Sequence, residues 1–346
     1  MSGRLDACRS QSVRGAMSDP SVREHAARIL AEVMKHRRSP ARCACKGALC
    51  SDACVRPHLD RVARAVERAQ PIVFILPSFP GKSPNPAKVL GPMPDMAERA
   101  SLTFLNTLCR KIGERHAPGA RLILCSDGRV FSDAVGLHEP DVTAYQRGIE
   151  SIIEELRLEA LSTFNLDDLF PGCDFAEMRS RLMARHGRPL DDLRAAVRAG
   201  GEARQIYCGI TRFLFEDALR PDLGISRTAL QKLCRERAYH VVQRSKAWDG
   251  LLAGEFPDAV RLSIHPQGCG SGKIGIHMMA TADEWLTPWH GVAALANGSF
   301  TLIKRREAEA AGARMVFRDG RPSHYVLRAA SPRDPTGAVC GAKEPK

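Results

Sequence analysis

PIVFIL (71–76) runs straight into the polar, proline-stiffened loop PSFPGKSPNPAKVLGPMPD (77–95), and a helix-length segment later comes RLILC (121–125). Both short runs are apolar or nearly so and rich in branched side chains, the pattern of strands buried on both faces. Between them Asp95 is placed to cap a helix reaching about residue 116, with Leu102, Leu105, Leu108 and Ile112 on one stripe. Strand, helix and strand in that order make a βαβ unit, which joins parallel strands through a right-handed crossover. The chain therefore reads as α/β, a Rossmann-like and mainly parallel sheet with flanking helices.

Upstream, Asp19-Pro20 is an N-cap and first-turn pair opening a helix to about residue 36, and a cysteine-rich loop leads to a second helix over 57–69. Downstream, 139–254 carries i, i+3, i+4 apolar spacing almost throughout, so a largely helical lobe is added to the sheet. Strand character returns at 259–265, 300–304 and 315–328, the last folded on a tight Asp319-Gly320 turn. Residues 19–330 are expected to form a single catalytic domain, with a disordered start over 1–18 and a frayed tail over 331–346.

At 346 residues, with 44% hydrophobic and 26% charged positions, the chain has the balance of a globular protein able to bury a large core. Aromatics are only 5%, so that core must be mainly aliphatic. No apolar run approaches the ~18 to 20 residues needed to cross a bilayer, and the first residues lack an apolar signal segment. A cytoplasmic location with no membrane partner is expected. The net charge of +12 suits anionic partners. Lys and Arg are spread along the chain without a basic tail or aromatic platform, which favours small anions over nucleic acid.

Twelve cysteines in such a protein should be mostly reduced thiols, with Cys109, Cys125, Cys208 and Cys234 as small buried hydrophobes. Cys43, Cys45, Cys50, Cys54 and His58 are spaced C-x-C-x4-C-x3-C-x3-H, dense enough to hold a structural zinc between the first two helices. The spacing is not a standard C-x2-C pair, so free thiols are the competing reading.

Three polar loops follow buried strands: 76–95, SDGRVFSDAVG (126–136) and HPQGCGSGKIG (265–275). In open parallel sheets ligands bind outside the carboxyl ends of the strands, so all three loops should converge on one rim. The GKS of the first loop is not a nucleotide P-loop. Position 76 is Leu76 where a Gly is needed, and Pro84 and Pro86 forbid a helix starting at Lys82. Lys82, Ser83, Asn85 and Lys88 still offer ammonium and hydrogen-bonding groups suited to a phosphate or carboxylate, against the plainer reading of a solvated basic turn. In the second loop Ser126, Asp127, Arg129 and Asp133 either bind hydroxyls and move protons or simply cap a turn. In the third, His265 at a strand end, with Gln267 and Lys273, is either a proton shuttle or a satisfied structural histidine. TPWHGV (287–292) places Trp289 and His290 side by side, as a pocket wall or as structure.

FILPSFPGKSPNPAKVLGPMPDMAER (74–99), SDGRVFSDAVG, RLSIHPQ with SGKIGI, and TPWHGVA together resemble the isonitrile (isocyanide) synthase family, also called the pyoverdine/dityrosine biosynthesis family. The resemblance spans roughly residues 25–330. It implies a reaction between an L-amino acid, most often tyrosine or tryptophan, and ribulose 5-phosphate. The amine attacks the sugar's ketone carbon to form an imine, that carbon becomes the isonitrile carbon, and the rest of the sugar leaves with phosphate. No redox cofactor is called for, and a downstream oxygenase is the expected pathway partner. On this reading Lys82, Ser83, Lys88 and Lys273 cradle the phosphate and Arg129 lies near the sugar or the amino-acid carboxylate. His265, His290, Asp127 and Asp133 move protons, and Trp289 stacks on an aromatic substrate. Two other functions fit less of the sequence: a different phosphosugar-dependent lyase or transferase, and a basic nucleic-acid-binding protein.

Overall fold

The computed structural model describes residues 19–40, 51–220 and 224–327. The two terminal segments and the cysteines Cys43, Cys45 and Cys50 lie outside them. Strands β1 (Ile72–Pro77), β2 (Ala120–Cys125), β3 (Leu161–Phe164), β4 (Val260–Ser263) and β5 (Ile274–Gly275) form a parallel sheet in the order β3-β2-β1-β4-β5. The chain builds outward from β1 to β3, then returns to start β4 on the other side of β1. The reversal point, where a crevice opens in such sheets, is therefore the carboxyl end of β1 beside β4.

Alternation along β1 explains its uninterrupted apolar sequence. Ile72, Phe74 and Leu76 face a core shared with helices α1 (Pro20–Met34), α2 (Ser51–Glu67), α3 (Met96–Gly113) and α5 (Glu139–Glu155). Val73 and Ile75 face the opposite core, with α7 (Phe175–His186) and α10 (Arg227–Glu255). Side chains on a strand point alternately to its two faces, so a strand covered on both sides has no polar position to give. The first and third helices begin at the caps the sequence marks. Asp19 accepts from the Ser21 amide at 2.8 Å, and Asp95 forms a capping box with Glu98.

The remaining helices of the added lobe are α4 (Gly128–Val135), α6 (Leu166–Leu169), α8 (Leu190–Ala199) and α9 (Gly201–Ala218). Three features differ from the expected pattern. The second helix begins six residues earlier than 57 and carries Pro57 inside it. The helical stretch 139–254 is interrupted by β3, an edge strand of four residues that is too short to show a period. Cys208 is exposed on α9, whereas Cys109, Cys125 and Cys234 are buried.

A second sheet, in the order β7-β6-β9-β8, is built from β6 (Val292–Ala296), β7 (Ser299–Ile303), β8 (Arg314–Arg318) and β9 (Arg321–Val326). Both of its hairpins turn on a residue pair with positive φ, Asn297-Gly298 (50°, 76°) and Asp319-Gly320 (51°, 74°), as two-residue turns between twisted strands require. A short helix, α11 (Arg305–Ala310), separates the hairpins. Ala293 and Leu302 pack with Ala97 of α3, which fixes this sheet beside the carboxyl rim of the first.

The first two polar loops lie against each other with no room to spare. Ser126 Oγ donates to the Phe79 carbonyl at 3.0 Å, and a Cβ built on Gly128 would stand 2.0 Å from the Pro80 oxygen. Gly128→Ala must push the two loops apart. The expected cost is about 1 to 3 kcal/mol, read as a lower thermal unfolding midpoint. An unchanged midpoint would show that the loops yield freely.

Candidate active site

The loop after β1 cannot form regular structure, because Pro80, Pro84, Pro86, Pro92 and Pro94 each lack a backbone donor. It is held instead by side chains. Lys82 is 2% exposed, and its Nζ lies 2.8 Å from both Asp95 Oδ2 and Glu98 Oε2 and donates to the Pro288 carbonyl at 3.1 Å. Burial opposes the ammonium charge, but Asp95 and Glu98 outweigh it and hold Lys82 protonated. Glu98 is pushed upward, since burial and Asp95 outweigh Lys82, and it also accepts from the Tyr145 hydroxyl at 3.0 Å. Lys82 thus serves as an internal anchor, not as an open phosphate ligand.

Beyond the anchor the loop meets the end of α9. Asn85 donates to the carbonyls of Glu216 and Leu219, both at 3.2 Å, which satisfies that helix terminus. Ser83 Oγ donates to Asp217 Oδ1 at 2.9 Å, Lys88 Nζ lies 2.7 Å from the same oxygen, and His290 Nε2 is 3.5 Å from Oδ2. Asp217 is buried. Burial alone would raise its pKa, but His290 and Lys88 hold it well below the ordinary carboxylate range. The other ring nitrogen, Nδ1, shares a hydrogen bond with the Thr287 hydroxyl at 2.8 Å, so the imidazole is oriented from both sides. Asp217 is the residue that sequence reasoning missed. It sits in an ordinary amphipathic helix far along the chain from Ser83, Lys88 and His290, with no local signal.

Asp127, at the carboxyl end of β2, caps α4 in position but makes no capping hydrogen bond, and its Oδ1 is buried without a partner. Burial, helped by the nearby Asp249 carboxylate, pushes its pKa up to about 7. His265 stands just past β4. β2 and β4 flank β1, so the two ends lie about 10 Å apart, two strand spacings. His265 is exposed, yet the surrounding protein and the charges of Arg38, His290 and Lys273 lower its pKa. Lys273 lies 2.6 Å from Asp249, which also pairs with Arg261.

Other expected site residues are placed as structure. Asp133 chelates Arg244 at 2.5 and 3.0 Å with Arg179 beside it, and although burial opposes this, those cations lower its pKa. A carboxylate so paired is a poor proton shuttle. Arg129 is buried against Asp167 and over the Phe175 ring. Ser126 bridges Phe79 and Gln146, and Gln267 binds Ser263 and Ser271 within its own loop. Trp289 is 2% exposed, packed on Phe79 at 5.3 Å, and so offers no stacking face to a ligand. A cavity of about 390 Å³ opens beside the first loop, lined among others by Lys82, Ser83, Pro86, His138, Arg220 and Arg305.

Of the expected metal ligands, Cys54 and His58 are described. Both are buried one turn apart on α2, with His58 Nδ1 lacking a hydrogen-bond partner. Burial lowers the His58 pKa to about 4, so the ring is neutral, the form that binds metal. Among the described residues no group of three or more His, Cys, Asp or Glu is arranged to hold a metal.

Residues 62–316 match the family model for pyoverdine/dityrosine biosynthesis proteins. The chain is 48% identical to the L-tyrosine isonitrile synthase of Pseudomonas aeruginosa, over 80% of this chain and 85% of that protein. It is 45% identical to the L-tryptophan isonitrile synthase AmbI1 of Fischerella ambigua, over 79% of this chain and 86% of that one. The crystal structure of PvcA from Pseudomonas aeruginosa superposes with a TM-score of 0.80 at 46% identity, covering 88% of this chain and 99% of that chain. The chain belongs to the pyoverdine/dityrosine biosynthesis family and is an enzyme of the isonitrile synthase type. No helix among the described residues is long and apolar enough to cross a membrane.

The raised pKa of Asp127 sets a sign for stability against pH. A carboxyl whose folded pKa exceeds its unfolded value of 3.8 favours folding in its protonated form, so its penalty grows as pH rises from about 4 through 7. Asp127→Asn should therefore be more stable than the wild type at pH 8, with the difference shrinking by pH 5. Denaturant unfolding of both proteins at the two pH values checks this; a pH-independent difference would mean that Asp127 is ionised throughout.

Proposed function

We propose that this enzyme converts the amino group of L-tyrosine or L-tryptophan into an isonitrile, with carbon 2 of ribulose 5-phosphate as the isonitrile carbon. The observation that carries the reading is the set of proton-moving groups on one rim, Asp127 after β2, His265 after β4 and His290 on Asp217, in a chain of this family. Forming the imine requires an acid to release water from the amine–ketone adduct, and fragmenting the sugar requires a base. Asp127, with a pKa near 7, can exchange a proton in either direction near neutral pH. His290 is held in register by Asp217 and Thr287. Lys88 and Lys273 supply positive charge for the phosphate, while Ser83 and Asn85 keep the first loop in place. The rearrangement needs no redox cofactor, and the product suits a downstream oxygenase.

Sugar labelled with carbon-13 at position 2 should place the label in the isonitrile carbon of a 2-isocyano acid, with phosphate released. His265→Ala should lower turnover on the order of 10²-fold. Phosphate release without labelled isonitrile, with every amino acid tried, would favour a different phosphosugar lyase.

A structural zinc on Cys43, Cys45, Cys50, Cys54 and His58 is proposed beside the chemistry, supported by the unpartnered His58 nitrogen. Protein purified without added zinc should then carry about one equivalent. A content below roughly a tenth of an equivalent removes the zinc.

A further inference from the structure

The three tryptophans divide sharply. Trp248 and Trp289 are each 2% exposed, while Trp285 leaves 67% of its surface in water. An indole left that open forgoes most of its burial free energy, yet its backbone is held firmly. The Trp285 amide donates to Asp283 Oδ1 at 2.8 Å, and Asp283 Oδ2 lies 2.6 Å from Lys304 Nζ. The buried Arg38 guanidinium donates to the carbonyls of Asp283 and Leu286 at 3.4 and 3.0 Å, on either side of Trp285. The same guanidinium donates to the Ile264 carbonyl at 2.6 Å, one residue before His265. Arg38 therefore fixes Trp285 and His265 to each other, with ring centroids 6.0 Å apart and planes at 41°.

We propose that Trp285 is the specificity-determining platform for the amino-acid substrate, stacking on its aromatic side chain while the amino group lies toward His265. The proposal rests on the function argued above and deepens it, since it assigns the aromatic preference to a particular ring. A rigid aromatic face loses little entropy on binding; its separation from His265 matches a tilted ring pair, and two thirds of the indole remains exposed to receive another ring. The buried Trp289 leaves that role unfilled in the TPWHGV segment, and Trp285 lies just upstream of it.

The test compares wild type, Trp285→Ala and Trp285→Phe with L-tyrosine, L-tryptophan and L-leucine. Trp285→Ala should raise the KM for the two aromatic acids roughly three- to tenfold, the range that loss of one aromatic pair corresponds to. The KM for L-leucine and for ribulose 5-phosphate should move less than twofold, and Trp285→Phe should recover most of the loss. Equal effects on all substrates, or none on the aromatic acids, overturn the proposal. Wild-type protein that forms no isonitrile defeats the function argued above but not this inference. Calorimetric titration of L-tyrosine and L-leucine, with and without ribulose 5-phosphate, then decides it. A tyrosine affinity unchanged by Trp285→Ala, or undetectable in the wild type, sinks it.

Discussion

The buried ammonium of Lys82 is the interaction on which the rim depends. A proline-rich loop cannot lock itself through backbone hydrogen bonds, so its path is set by one charged group that must find partners once it leaves water. Asp95, the N-cap of α3, and Glu98 in its first turn supply the charge, and the Pro288 carbonyl supplies the third contact. One side chain thereby ties the end of β1 to the helix that follows it and to the turn carrying His290. Removing either partner of so enclosed a pair typically costs about 3 to 5 kcal/mol, which is why the loop has one shape rather than several.

From that anchor the second layer of the site follows. The loop presents Ser83, Asn85 and Lys88 to the carboxyl end of α9, and Asp217 answers with a carboxylate that collects Ser83, Lys88 and His290. The helical lobe therefore delivers the counter-charge that orients His290. On the other flank, Asp127 has no such counter-charge, and burial, helped by the nearby Asp249, pushes its pKa up to about 7. The two carboxylates are driven in opposite directions by their surroundings, Asp217 downward by His290 and Lys88 and Asp127 upward by burial.

Charged residues that looked equivalent in the sequence turn out to differ by what surrounds them. Asp127 and Asp133 lie six positions apart in one loop-and-helix segment, yet Asp133 faces Arg179 and Arg244 while Asp127 faces none. Lys82 and Lys88 show the same contrast, the first enclosed and the second partly open beside Asp217. With the tryptophans, position in a motif was misleading: Trp289, within the motif, fills the core, and the open ring is Trp285.

The sequence by itself determined the parallel sheet, the helix starts at Asp19 and Asp95, the Asp319-Gly320 hairpin and the placing of three polar loops at strand ends. These are local or periodic properties, written in the spacing of apolar residues and in turn chemistry. The four matching strings also identified the family. What only the tertiary structure decided was which polar side chain faces the crevice and which is spent on holding a loop. That choice depends on partners brought together from distant positions, such as Asp217 with Ser83 and His290, or Arg38 with Ile264 and Leu286. No local pattern encodes such pairings, because burial, and with it the strength and sign of each electrostatic effect, exists only after the chain has folded.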